Sequence, residues 1–362
     1  MRLNPAFWKH RRVLLTGHTG FKGSWMALLL QELGAHVTGV GLPPETEPNL
    51  FSLFTFGGEQ PFFFADIRDR AALARIVHEA DPEIAIHMAA QPLVRNSYIY
   101  PHETFETNAM GTVHLLESLR NAANLLAALI VTTDKVYLNQ NGPKAFIESD
   151  PLGGADPYSA SKAAAEMAVS SYARSFFRPL GIPVSTARAG NIIGGGDWAK
   201  DRLVPDLWRA RRAKRAVVLR FPHAIRPWQH VLDPLYGYLL YLERMASAPE
   251  SLNFGPAPDQ LWTVLDLAQN VEKHFASKPL FVFEKNSDAH FPEIQTLSID
   301  ASLAYRTLGW RCLLDIEKAV EWTCSWYKAF DEGRDVRSLS LTQIQHYFEL
   351  AESPSKLQDL TC

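Results

Sequence analysis

The stretch RVLLTGHTGFKGSWMALLL at residues 12–30 decides the fold. Arg12–Thr16 is an apolar run too short for a helix and closed by glycine, the pattern of a buried strand. Gly17, Gly20 and Gly23 follow, and then an apolar helical segment over Ser24–Leu33. In such a strand–turn–helix unit the first glycine permits the tight turn. The second lets backbone approach a pyrophosphate, and the third lets the helix pack closely on the sheet. The helix N-terminus then aims unpaired N–H groups at the phosphates. Gly17, His18, Thr19, Gly20, Phe21, Lys22 and Gly23 are therefore the expected cofactor contacts. For His18 and Lys22 a plain solvated side chain is the competing reading.

The same alternation continues to about residue 190. Candidate strands are Arg12–Thr16, Val37–Val40, Phe62–Ala65, Ile84–Met88, Ala128–Thr132 and Val184–Arg188. Candidate helices are Ser24–Leu33, Ala71–Glu79, Thr104–Asn121 and Tyr158–Phe176. The strands are unbroken apolar runs, as expected where both faces are covered. Gly34 and Asp81-Pro82 sit where the preceding helices should stop. Alternating strands and helices predict an α/β fold with a doubly wound parallel (Rossmann) sheet. After Gly194-Gly195-Gly196 the pattern changes, with helices expected at Leu203–Lys214, Val264–Phe275 and Asp315–Phe330. The expected division is a Rossmann domain at 1–190 and a smaller substrate-binding lobe at 191–335, some of whose segments return to the first domain. A tail at 336–362 is either a docked helix or a loose end.

With 362 residues, 47% hydrophobic and 21% charged, the chain has the mix of a folded globular protein. Its 36 basic and 39 acidic residues leave a net charge of −3, which excludes a global attraction to nucleic acid or anionic membrane. The basic run Arg209–Arg215 is read as a solvated helix face. Cys312, Cys324 and Cys362 form no CxxC pair, so neither a disulfide framework nor structural zinc is expected. His223 and His230 lack metal-ligand spacing, and no metal is expected. No apolar stretch approaches the roughly eighteen residues of a membrane span. A soluble, cytoplasmic protein is expected.

An acidic residue usually ends the second strand and holds the adenosine ribose. Here Thr38-Gly39-Val40-Gly41 has none, and no arginine follows until Arg68, so the residues leave NAD and NADP both open. Asp66 and Ile67 follow the third strand, where an adenine contact fits; a helix cap is the other role open to Asp66. Tyr158 and Lys162 stand four apart at a helix start and face the same way. A cationic lysine beside a phenol favours the phenolate, the base that alcohol oxidation needs. Thr133 and Asp134 end the preceding strand, where ligands bind in open α/β sheets, and Thr133 suits a sugar hydroxyl. Trp322, Trp326, Tyr327 and Phe330 lie at helical spacing and are read as packing.

At these residues the chain resembles the extended short-chain dehydrogenase/reductase family, which acts mostly on nucleotide sugars. The likeness runs over about residues 12–330 and rests on GxxGxxG, Met88-Ala89-Ala90, Asn108 and the Tyr158–Lys162 pair. Epimerases of the family carry two small hydroxyl residues at the strand end with no acid following, whereas 4,6-dehydratases carry Thr-Asp-Glu. Thr133-Asp134-Lys135 resembles the branch of 4,6-dehydratases that act on CDP-glucose, as do Gln91–Arg95, Arg188–Asn191, Gly195–Trp198 and Arg226–Val231.

The resemblance implies NAD as cofactor, with Ala89, Ala90, Gln91, Asn108 and Thr132 joining the contacts. It implies CDP-D-glucose as substrate, with Arg95, Asn191, Arg202, Leu203, Arg220 and Arg226 around the nucleotide and diphosphate. Arg202 and Arg220 have a second reading as surface ion-pair partners. The implied catalytic set is Thr133, Asp134, Lys135, Tyr158 and Lys162. Tyr158 takes the proton as C4 is oxidised, and Asp134 protonates the leaving C6 hydroxyl. Lys135 stands where the wider group has glutamate; it is either a neutral base for C5 or a loop anchor. A homodimer through the two long helices, or a tetramer, is also implied.

Overall fold

The computed structural model describes residues 2–56, 60–139, 142, 144–257, 261–275, 281–283 and 295–352. Each candidate strand forms, with bounds moved by a residue or so: β1 (Arg12–Thr16), β2 (His36–Gly41), β3 (Phe62–Phe64), β4 (Ile84–His87), β5 (Ala127–Val131) and β6 (Val184–Ala189). A further strand, Ser251–Phe254, pairs with β6 and completes a seven-stranded sheet. From that edge the order is Ser251–Phe254, β6, β5, β4, β1, β2, β3, and every pairing is parallel. Chain direction across the sheet reverses between β1 and β4, the crevice where open α/β sheets take their ligands.

Side chains alternate across β1 between two cores. Val13 and Leu15 join the larger cluster with Trp25 and Leu29, while Leu14 joins Val40, Ile76 and Leu116 on the opposite face. Strands covered on both faces need no polar alternation, which is why β4, β5 and β6 are buried throughout.

Helix ends depart from the sequence reading where backbone rather than side-chain pattern decides. The first helix runs Phe21–Glu32, because extended Gly20 serves as its N-cap. The helix expected at Thr104–Asn121 is Pro101–Phe105, a π-helical turn over Glu106–Met110, and then Gly111–Leu119. A short helix at Val94–Ile99 precedes it. The helix at Pro157–Tyr172 likewise ends in a π turn, Ala173–Phe177.

Beyond β6 the chain forms helices at Leu203–Ala213, Leu232–Arg244, Val264–Phe275 and Ile316–Asp331. Small strand pairs such as Ile192–Ile193 with Gln229–His230 lie between them. The basic run is tied down by acids: Arg211 and Arg212 both pair with Asp331, and Arg209 pairs with Asp206. Trp326 and Tyr327 are fully buried against Trp198 and Trp208, as packing residues. Of the last segment, Val336–Glu352 is a helix docked by Tyr347 OH donating to Asp233 at 2.8 Å and Trp326 Nε1 donating to Ser340 Oγ at 2.9 Å. Cys362 lies outside the described residues. Among the described residues no helix is long and apolar enough to cross a membrane.

Candidate active site

The glycine loop is built from close backbone contacts. Gly17 has φ +77°, and a Cβ there would stand 2.7 Å from the Ala89 nitrogen. A Cβ on Gly23 would stand 1.9 Å from the Gly17 carbonyl oxygen. Gly20 is different: its Cβ would meet only that carbonyl, at 3.5 Å, so the loop is open on this side. No side chain caps the Phe21–Glu32 helix, and its first N–H groups remain available to an anion. Thr19 Oγ1 donates to the Leu42 carbonyl at 2.8 Å.

His18 meets neither sequence reading. Its ring is fully buried, stacked on Phe62 at 4.9 Å and set edge-on to Phe51 at 5.1 Å. Burial lowers its pKa to about 4, so the ring is a neutral packing element. Lys22 is not solvated either. It lines the cavity beside Tyr158, with Nζ 3.4 Å from the Tyr238 hydroxyl. Burial, then the charges of Lys162 and Arg202, lower it to about 7. Asp66 is no helix cap, since Asp69 accepts from the Ala71 and Ala72 nitrogens. Instead the Arg68 guanidinium grips Asp66 at 2.6 and 2.9 Å and holds its carboxyl below the usual range. Ile67 is buried against Gly111, where a Cβ would come within 2.6 Å.

Thr133, Asp134, Lys135, Tyr158 and Lys162 converge on one cavity of about 380 Å³ at the carboxyl ends of the strands. Thr133 Oγ1 donates to Asp134 Oδ1 at 3.0 Å, while Asp134 Oδ2 is buried with no hydrogen-bond partner. Burial raises the Asp134 pKa against the pull of Lys135, Thr133 and Arg226. A carboxyl group so placed favours its proton-bearing form. Lys162 Nζ donates to the Val131 carbonyl at 3.2 Å, and burial lowers it to about 8 against the charge of Glu166. The sequence reading has Lys162 pulling Tyr158 down. Burial wins instead and pushes Tyr158 up to about 12, with Thr133 and Arg202 working against it.

The same cavity is lined by Arg95, Asn191, Arg202, Leu203, Arg220 and Arg226. Asp201 lies between two of them, 3.5 Å from Arg95 and 3.2 Å from Arg220. Arg202 faces Asp197 at 3.8 Å. Arg226 is buried and donates to the Ile225 carbonyl at 2.8 Å. Among the described residues no group of three or more His, Cys, Asp or Glu is placed to hold a metal ion.

A family model described as GDP-mannose 4,6 dehydratase matches residues 14–323. The chain is 41% identical to a CDP-glucose 4,6-dehydratase of Salmonella typhimurium, over 95% of this chain and 98% of that one. The chain belongs to the GDP-mannose 4,6-dehydratase family, within the extended short-chain dehydrogenases/reductases. A probable dTDP-glucose 4,6-dehydratase of Sinorhizobium fredii is 28% identical, over 87% of this chain and 92% of its own. Among solved structures, a UDP-glucose-4-epimerase of Stenotrophomonas maltophila with bound NAD superposes with a TM-score of 0.77 at 25% identity, over 90% of this chain and all of that one.

In this member of the family, two expected cofactor contacts have their side chains engaged elsewhere. Asn108 Oδ1 accepts from Gln91 N at 2.8 Å, and its Nδ2 donates to Gln91 O at 3.1 Å and Ser161 Oγ at 2.9 Å. Both amide hydrogens and the oxygen are engaged, holding the Ala89–Gln91 loop against the Tyr158 helix. The Thr132 hydroxyl donates to Glu166, behind the cavity.

Sequence reasoning missed His87. Thr16 Oγ1 accepts the Met88 and Ala89 N–H groups at 3.1 and 3.2 Å, so its own proton goes to His87 Nδ1 at 2.6 Å. Thr112 Oγ1 donates to the Asn108 carbonyl at 2.7 Å and thus accepts from His87 Nε2 at 3.1 Å. One tautomer satisfies all five bonds, and burial lowers the His87 pKa to about 3. The neutral ring ties the glycine-loop strand to the π turn that carries Asn108. Its only sequence signal is a polar residue ending an otherwise apolar run.

Proposed function

We propose that this chain is a CDP-glucose 4,6-dehydratase, converting CDP-D-glucose to CDP-4-keto-6-deoxy-D-glucose with NAD as resident cofactor. The observation that carries this reading is Asp134 Oδ2, a buried, unpartnered carboxyl oxygen of raised pKa in the cavity that holds Tyr158. Expelling a hydroxide is prohibitive without a proton donor, and a group of this kind supplies the proton. An epimerase has no leaving hydroxyl and leaves Asp134 without a task.

The open face of Gly20 and the uncapped helix start fit a dinucleotide pyrophosphate. Arg68, the first arginine after the second strand, is engaged by Asp66, which favours NAD over a cofactor with a 2′-phosphate. Bound NAD supplies the oxidant for C4 and later the reductant for C6. Tyr158 takes the C4 hydroxyl proton, with Thr133 and Arg202 favouring its phenolate. The new carbonyl acidifies C5–H, whose proton passes to Lys135 or to a water. Asp134 gives its proton to the C6 hydroxyl, which leaves as water. Once C6 is reduced, the group that took the C5 proton returns it. Arg95, Arg202 and Arg220 hold the diphosphate, for which the guanidinium fork is suited.

Exposed Phe105, Met110, Met167 and Phe176 lie along the helices expected to pair, supporting a homodimer or tetramer; the proposed location is the cytoplasm. The test of function is incubation with CDP-glucose and detection of the alkali-dependent chromophore of the 4-keto product. Turnover of a UDP-sugar with no signal from CDP-glucose overturns the assignment.

A further inference from the structure

Behind the cavity lies a buried ion pair that the chemistry above does not use. Glu166 and Arg188 are 4% and 5% exposed at their side chains and meet at 2.8 Å. Glu166 stands one turn beyond Lys162 and two beyond Tyr158, on one face of the helix. Its carboxylate accepts four hydrogen bonds. Arg188 gives two, from Nε at 3.0 Å and Nη2 at 2.8 Å; the Thr186 hydroxyl gives one at 2.8 Å, and the Thr132 hydroxyl the fourth. Arg188 is fixed in turn, donating through Nη1 to the Tyr137 hydroxyl at 2.9 Å and the Glu148 carbonyl at 3.1 Å. Tyr137 donates to Asn253 on the edge strand at 2.6 Å.

The consequence is a clasp between strand end and helix. Two successive residues at the end of β5 are each held by one turn of the same helix: the Val131 carbonyl by Lys162 and the Thr132 hydroxyl by Glu166. Thr133 follows, its hydroxyl donating to Asp134. We propose that Glu166, anchored by Arg188, is a positioning residue that fixes the strand end carrying Thr133 and Asp134 against the helix carrying Tyr158. Oxidation at C4 and elimination across C5 and C6 draw on groups from these two elements in turn. Their relative placement must therefore survive the whole cycle, and a fully satisfied buried carboxylate holds it rigidly. Glu166 also acts on Lys162, whose proton its charge retains.

This inference rests on the roles given above to Tyr158, Thr133 and Asp134. Glu166→Gln leaves Arg188 buried without a counter-charge and threatens folding itself. Thr132→Val is the cleaner probe, since it removes one hydroxyl and keeps the ion pair; Thr132→Ser restores the hydroxyl. In the full-length enzyme, Thr132→Val should lose about 10- to 100-fold in kcat, with the calorimetric dissociation constant for CDP held within about twofold. Thr132→Ser should recover most of that turnover. Wild-type kcat in Thr132→Val, with only a lowered unfolding temperature, overturns the proposal, as does an equal loss in both variants. Tyr158→Phe run alongside separates the two levels. Retained turnover there sinks the site assignment itself, whereas lost turnover there with a fully active Thr132→Val sinks only the clasp.

Discussion

At the cavity floor Asp134, Tyr158 and Lys162 are 2%, 8% and 5% exposed, and Asp134 keeps an oxygen unpaired. At the rim Arg95, Arg202 and Arg220 have side chains 37%, 34% and 28% exposed, and each faces an aspartate. The same charges act differently in the two places. On the floor desolvation dominates, so burial shifts the titrating groups from their ordinary values toward their neutral forms. At the rim water screens each pair, so an ion pair is cheap to exchange for another. A diphosphate can take Arg95 and Arg220 from Asp201 at little cost. In this cavity the buried, unpaired oxygen of Asp134 is placed for chemistry, and the exposed, paired arginines are placed for binding.

That contrast can be broken most sharply at Tyr158. Tyr158→Phe should lower kcat by at least about 100-fold while CDP affinity and folding stay intact. Near-normal turnover removes the phenol from the mechanism. Asp134→Asn should slow the 6-deoxy product by about 100-fold yet permit oxidation. The 4-keto sugar that still bears its C6 hydroxyl should then accumulate in a single turnover, visible by mass. A variant blocked before oxidation assigns Asp134 a different task.

Buried titration also leaves a mark on stability. His87 is held at about 3, below its ordinary 6.5, so the folded chain refuses a proton that the unfolded chain accepts. Stability is full above about pH 6.5 and falls as pH drops toward 3, by about 1.4 kcal/mol per unit from this group. Asp233, raised to about 7 by burial, works in the opposite sense over the same window. The measurement is thus a difference: His87→Gln should lower the slope of unfolding free energy against pH between 6 and 4 by about 1.4 kcal/mol per unit relative to the unchanged protein, uncovering the opposite trend of Asp233. Parallel curves for the two proteins place His87 in contact with water.

Lys135→Met should slow solvent deuterium exchange at C5 by about tenfold or more if its amine is the base. Unchanged exchange with a raised KM makes Lys135 a loop anchor. The smallest effects belong to the rim. Arg220→Ala should weaken CDP binding several-fold, about 1 kcal/mol, and the loss should shrink as salt is added. Asp201→Asn should tighten CDP binding by about twofold to fivefold, because the competing carboxylate is gone. A salt-independent loss in the first, or weaker binding in the second, breaks the account of the rim.

The sequence by itself determined the β1–glycine–helix unit, the parallel sheet, and the placing of Tyr158 and Lys162 on one helix face. These depend on contacts a few residues apart, where helix and strand periodicity dictate which side chains share a face. It also placed Thr133 and Asp134 at a strand end, because apolar runs stop where strands emerge. Tertiary structure alone decided that His18 is packing, since Phe51 and Phe62 close over it from later in the chain. It alone spent Asn108 on Gln91 and Ser161, set His87 between two threonines, and brought Asp201 between Arg95 and Arg220. It alone added Ser251–Phe254 to the sheet and joined Tyr137 to Asn253. A polar side chain carries no local signal for a partner a hundred residues away. Whether it titrates, binds or merely packs follows from how much water and how many partners the folded chain leaves it.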